Sequence, residues 1–191
     1  MSLVASFTHP VADAQHAFRR ILKAMSEPGT VVCLPALPAW APLSNAATAV
    51  LTTLVDRETP LWLDSTLKQE ALLQNLRFHT GAIVTHHTDA PFALLAQDSV
   101  QPLAAFFVGD NLSPEKSTTV IVELPALQGG APLRLRGPGI ETHRDIAPAL
   151  PPAIQAWLAA RASVFPQGID LMFTCGSELL ALPRTTLVEA R

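Results

Sequence analysis

Seventeen prolines, scattered through 191 residues, cut the apolar sequence of this chain into short pieces. Proline fixes φ and has no amide hydrogen, so it ends helices and stays out of central strands. The effect is plainest in residues 30 to 55, which carry no charged side chain. Pro35, Pro38 and Pro42 interrupt that run and leave only Ala46 to Val55 cleanly apolar, about half of the ~20 residues a membrane-spanning helix needs. No transmembrane helix is expected, and the loops between elements are expected to be stiff. No repeat, heptad series, low-complexity tract or break in composition divides the chain, so residues 1 to 191 are expected to form one domain.

Charge is scarce. Asp, Glu, Lys and Arg make up 15% of the residues against 49% hydrophobic ones, where a soluble domain has about 25% charged residues. The shortage implies that another chain covers part of the surface, because interface cores are depleted of charge. Self-association into a homodimer is expected when no other partner is present. The formal net charge of -3 lacks the broad basic footprint of a nucleic-acid binder. The opening MSLVASFTHP has neither the basic nor the apolar region of a secretory signal, so a cytoplasmic location is expected. Cys33 and Cys175 lie far apart in apolar, strand-like runs, which fits two buried thiols better than a disulfide or a metal site.

Residues 13 to 29, DAQHAFRRILKAMSEPG, form the most regular segment. Ala14, Ala17, Phe18, Ile21, Leu22 and Met25 recur at i, i+3 and i+4 and predict a helix with a core-facing stripe. Asp13 stands where an N-cap belongs, and Glu27-Pro28-Gly29 ends the helix. His16, Arg19, Arg20 and Lys23 gather on the opposite arc as a candidate partner interface, with a merely solvated face as the simpler reading.

A second helix is predicted over SNAATAVLTTLVD (44 to 56), capped by Ser44 and apolar nearly all round, hence buried. Helical patterns also cover Thr66 to Phe78, with Leu67, Ala71, Leu72 and Leu76 on one side, and Pro152 to Ala162. Strand-like runs occur at TVVCL (30 to 34), LWL (61 to 63), AIVT (82 to 85), FALL (92 to 95), TTVIVEL (118 to 124), LRLR (133 to 136), DLMFT (170 to 174) and LLAL (179 to 182). Strands and helices alternate early, and the second half is more hairpin-like. The expected class is α/β, a layered α/β/α sandwich with a mixed sheet.

Few patterns point to chemistry. His86 and His87 are adjacent and face opposite ways on a strand, His79 lies a loop away, and no H-x-x-x-H or C-x-x-C spacing occurs, so no metal site is expected. GGAPLRLRGPGI (129 to 140) meets neither phosphate-binding glycine motif, since Pro138 removes an amide donor and no helix follows. Arg134 and Arg136 do share one strand face, and paired guanidinium groups suit phosphate oxygens. Lys23, Lys68 and Lys116 are the only lysines and none is placed for a Schiff base, while no nucleophile elbow or activated cysteine exists, so no catalytic residue and no cofactor are assigned. In FPQGIDLMFTCGSELLALPRTT (165 to 186), two strands flank Gly176-Ser177. A two-residue turn sets Asp170 opposite Pro183 and a one-residue bulge sets it opposite Arg184. An Asp170–Arg184 ion pair and an anion site built from Arg184, Thr185 and Thr186 both stay open.

Five stretches, DAQHAFRRILKAMSEPG, LTTLVDRETPLWL (51 to 63), LRFHTGA (76 to 82), LRLRGPGI (133 to 140) and FPQGIDLMFTCGSELLALPRTT, together resemble the PhnH family, one of the components of the bacterial carbon-phosphorus lyase system. They run in family order over nearly the whole chain. The resemblance implies a role in phosphonate catabolism. It implies that PhnH works with the lyase subunits G, I and L in the step in which a phosphonate displaces adenine from ATP to give a ribose 1-phosphonate 5-triphosphate, with the I component as the catalyst. It also implies a fold similar to the large domain of pyridoxal-phosphate-dependent transferases without the cofactor, assembly with subunits G, I and J, and a non-catalytic part in a transferase complex. The rival reading is a free-standing transferase that binds a phosphorylated substrate or cofactor through Arg134, Arg136 and Arg184.

Overall fold

The continuous apolar runs FALL and TVIVE and the strand DLMFTC have no polar face to offer water, and such strands pack side by side at the centre of a sheet covered on both faces. They do so here. A computed structural model describes residues 3–160 and 165–191. In chain order its elements are α1 (Pro10–Ser26), β1 (Val31–Cys33), α2 (Asn45–Leu54), β2 (Leu61–Leu63), α3 (Glu70–Thr80), β3 (Val84–Thr85), β4 (Phe92–Leu95), β5 (Thr119–Glu123), β6 (Leu133–Arg136), β7 (Arg144–Ile146), α4 (Pro152–Ala160), β8 (Asp170–Cys175), β9 (Glu178–Leu182) and β10 (Leu187–Ala190). The expected extension of α4 to Ala162 lies outside the described residues. Among the described residues no helix is long and apolar enough to cross a membrane.

The main sheet has seven strands in the order β1-β9-β8-β5-β4-β2-β3. β3, β2, β4, β5 and β8 run parallel, and β9 turns back antiparallel on β8 through Gly176-Ser177. The class is therefore α/β with a mixed sheet, as expected. α1, α2 and α3 cover one face, where Ala17, Ile21, Val50, Leu51, Leu72 and Leu76 meet Leu63, Leu94, Ile121 and Met172. Ser44 caps α2 as anticipated, its side chain accepting from the Ala47 amide.

The other face departs from a purely helical layer. α4 covers only part of it, and a three-stranded antiparallel sheet, β10-β6-β7, covers much of the rest. LRLR belongs here. Leu133 and Leu135 are buried against the main sheet while Arg134 and Arg136 point outward, an alternation that suits a sheet with one wet face. β7 and β10, from RDI and LVEA, lack a strand signature of their own and exist because β6 offers them free edges.

Several local expectations need correction. α1 begins at Pro10, with His9 at the N-cap, and Asp13 sits in the first turn, its carboxylate accepting from the His9 amide at 2.8 Å. Only Ala17, Ile21 and Ala24 of α1 are buried, whereas Phe18 and Leu22 are 50% and 55% exposed. Small alanines let α1 lie close to its neighbours, and that contact covers just one side of its apolar arc. The helix expected from Thr66 splits into a 3-10 turn at Ser65–Leu67 and α3, because the Asp64 carboxylate caps the Thr66 amide at 3.2 Å, and Ala71 is exposed. Neither cysteine is buried: Cys33 is exposed on the edge strand β1 and Cys175 is half-buried, both as free thiols.

The two sheets are locked together where α1 ends. Gly139 has a φ of +82° and its Cα lies so close to the Ser26 carbonyl oxygen that a side chain there would collide with it. Arg144 donates to the carbonyls of Glu27 (3.1 Å) and Pro28 (2.9 Å) and to the Thr30 hydroxyl, clamping the turn that follows α1. Gly139→Ala is expected to lower unfolding free energy by at least about 2 kcal/mol, because strain adds to collision. Gly129, with a similar φ of +83° and open space around it, is the comparison. Gly129→Ala is expected to cost only about 1 kcal/mol, and urea denaturation of the two variants measures the difference.

Candidate functional site

The arginines singled out for anion binding are placed by β6 and by the turns around β9. Arg134 grips Asp145 with two parallel hydrogen bonds, Nε to Oδ1 at 2.8 Å and the Nη2 donor to Oδ2 at 3.0 Å. Arg191 adds a third at 2.8 Å. Hydrogen bonding from Arg134 holds the Asp145 carboxyl down at about 2. Arg136, exposed at the end of β6, has no ion-pair partner among the described residues.

Arg184 is tied elsewhere. The register Leu171↔Leu182 shows that the β8–β9 turn has two residues and no bulge, which sets Asp170 one step beyond, across from Pro183. The carboxylate still reaches Arg184, accepting from its backbone amide at 2.7 Å and lying 3.6 Å from its guanidinium. The same guanidinium donates to the Ser117 hydroxyl at 2.7 Å and to the Pro114 carbonyl. Thr185 packs its carbonyl against Gly137, and Thr186 is buried beside it. Arg136, Thr185 and Thr186 are thus neighbours, while Arg134 and Arg184 are engaged with separate carboxylates.

The basic residues of α1 frame a different surface. At about 100° per residue, Val11, Phe18 and Leu22 fall within roughly 40° of one line along the helix. All three are exposed. Arg19, on the adjoining arc, and His16, about 120° or more round the helix from the ridge, have no side-chain partner among the described residues, whereas Arg20 donates to the Cys33 carbonyl at 3.2 Å and Lys23 pairs with Glu27 at 2.6 Å. An apolar ridge beside the free guanidinium of Arg19 can dock a surface of apolar and acidic groups. The ridge escaped the sequence reading, yet a signal existed: the six apolar residues assigned to one stripe spread over an arc of about 140°, wider than the alanine contact covers.

The other candidates are structural. His79 stacks on Trp40 with ring centroids 5.1 Å apart, and its Nε2 lies 2.8 Å from the Val4 carbonyl oxygen, which pins the N-terminal segment to α3. His86 lies 3.2 Å from the Lys68 ammonium. Among the described residues no three His, Cys, Asp or Glu side chains group as a metal site would need.

The bacterial phosphonate metabolism protein (PhnH) family model matches residues 5–189. This chain belongs to the PhnH family. It is 41% identical over 188 residues to the alpha-D-ribose 1-methylphosphonate 5-triphosphate synthase subunit PhnH of Rhizobium meliloti (strain 1021), covering 96% of this chain and 94% of that one. It is also 30% identical over 181 residues to HtxG of Stutzerimonas stutzeri, described as a candidate C-P lyase subunit protein, covering 93% and 86% respectively. The PhnH motifs quoted above now have physical roles: SEPG and LRLRGPGI are two sides of one joint, and LRFHTGA carries the His79 anchor and the left-handed Gly81 that ends α3.

The Asp145 pair makes stability depend on acid in a stated direction. Its folded value of about 2 lies below the ordinary 3.8, so the pair stabilises the fold above about pH 4, and that contribution is lost as pH falls toward 2. In Asp145→Asn, urea unfolding between pH 5 and 2 is expected to show a shallower acid limb than the parent chain.

Proposed function

We propose that this PhnH-family chain is a subunit of a carbon-phosphorus lyase core assembly, docking with subunits G, I and J in the cytoplasm. There it assists the step that makes ribose 1-phosphonate 5-triphosphate from ATP and a phosphonate, while a partner supplies the catalytic groups. The observation that carries this reading is the α1 surface, where Val11, Phe18 and Leu22 lie open beside Arg19. Three exposed apolar side chains in line, on a protein with 15% charged residues, suit a surface that a partner covers. In isolation the chain pairs as a homodimer. The mixed sheet between two covering layers supports the likeness to the large domain of pyridoxal-phosphate-dependent transferases. Its three lysines lie apart from one another on the exterior, Lys23 in an ion pair and Lys68 against His86.

The rival free-standing transferase draws less support, because Arg134 and Arg184 arrive already engaged with Asp145 and Asp170. Two measurements separate the readings. The chain is expected to restore growth on methylphosphonate to a Rhizobium meliloti strain lacking its own PhnH, and to co-purify with the other lyase subunits. The triple variant Phe18→Ser, Arg19→Glu, Leu22→Ser is expected to retain its thermal midpoint within a few degrees but to lose at least about tenfold in co-purification, since apolar anchors at an interface contribute more than about 1 kcal/mol each. Turnover of ATP and methylphosphonate by the purified chain alone refutes the assembly role.

A further inference from the structure

The connections leaving β2 and β4 diverge. β2 leads through α3, on one face of the sheet, outward to β3, whereas β4 leads through a 3-10 turn at Leu103–Ala105, on the opposite face, to β5. In open α/β sheets the crevice left beyond the carboxyl ends of the strands at such a point is where ligands bind. This chain has a crevice of about 430 Å³ there, between Thr66 and Gln69 after β2, Gln97 and Asp98 after β4, and Glu123 at the end of β5, with Ser44 facing them from the start of α2.

The crevice is held in shape from beneath. The Asp64 amide donates to the Leu94 carbonyl at 3.0 Å, joining the exits of β2 and β4. Burial by itself pushes the Asp64 carboxyl up, but hydrogen bonding outweighs it and holds the group below its ordinary value, the Thr66 amide and hydroxyl each donating to Oδ1 at 3.2 Å. Glu123 accepts from the Ser44 amide at 2.7 Å and the Thr174 hydroxyl at 3.2 Å, which fixes the third wall.

The lining also selects a ligand class. It contains no lysine or arginine, and Lys68, in the same loop, is turned to His86. Three of the amides in the first turn of α2 are engaged as well: Ala46 donates to the Gly176 carbonyl at 2.8 Å, Ala47 to the Ser44 hydroxyl at 3.1 Å and Thr48 to the Ser44 carbonyl at 3.0 Å. Without a cation in the lining and with these amides engaged, the crevice is poorly suited to a phosphate. Carboxylates, side-chain amides and hydroxyls alternate instead with the apolar surface of Pro42, Leu43 and Leu67. That mixture matches a sugar ring, which has C–H faces and hydroxyl edges. We infer that the crevice binds the uncharged, hydroxyl-rich part of a ligand, a pentose-like ring whose vicinal hydroxyls donate to Asp98 and Glu123. This site lies apart from the α1 docking surface and does not depend on it.

The test is a nuclear magnetic resonance titration of the intact chain with methyl β-D-ribofuranoside as the probe. Amide shifts are expected at Thr66 to Gln69, at Ala96 to Ser99 and at Ser44, saturating in the millimolar range. Asp98→Ala is expected to weaken binding about tenfold, the effect of losing one charge-assisted hydrogen bond. Gln97→Ala is expected to weaken it less, and both variants, altering exposed side chains, are expected to keep the parent's spectrum elsewhere. Absence of shifts at tens of millimolar probe, or shifts that Asp98→Ala leaves unchanged, overturns the inference. So does a stronger response of the same amides to guanidinium or to inorganic phosphate, which would assign the crevice to a charged ligand.

Discussion

Side by side, β3, β2, β4, β5 and β8 form a parallel platform with apolar side chains above and below, and neither face can be left to water. Every other element is recruited to cover it. The segment around α2 answers on one side with a helix whose first seven residues include six that are buried. On the other side helices run short, and the small β10-β6-β7 sheet completes the cover with Leu133, Leu135 and Val188. That arrangement works only if the small sheet is held at a fixed height. Gly139 against Ser26, Gly29 packed on Leu135 and Ile146, and Arg144 over the end of α1 supply the joint.

The same economy governs charge. Asp145 is shared between Arg134 and Arg191, Asp170 holds Arg184, and Glu27 holds Lys23. Arg19 lies beside the open Phe18 and Leu22 without an ion-pair partner among the described residues, and its position on a helix braced by α2 and β9 gives the surface a rigid backing. A protein whose contribution is to be bound, and to present a crevice in a set orientation, has use for that rigidity.

Much of the architecture is legible in the chain itself. Ser44 and the apolar run behind it specify a buried, capped helix, because both signals are local. FALL, TTVIVEL and DLMFT read as strands for the same reason, and the two-residue Gly176-Ser177 turn fits the left-handed glycine, φ +56°, observed there. The candidate site is less legible. Arg134, Arg136 and Arg184 group by chemistry, but a guanidinium's availability depends on which carboxylates fold against it, and Asp145 sits on β7, a strand with no sequence pattern of its own. Asp170 reaches Arg184 without the bulge that strand counting required, since side chains at a strand's end can lean across the register.

By itself, then, the sequence determined the length and kind of most elements, the impossibility of a long apolar helix, and the outward alternation of Arg134 and Arg136, all set by neighbours within a few residues. Tertiary structure alone decided which part of α1's apolar arc is buried, the strand order that opens a crevice between β2 and β4, and the meeting of Ser26 with Gly139. Each of these joins residues remote in the chain. The free energy that selects them comes from covering the faces of a sheet whose order is not written in any one segment.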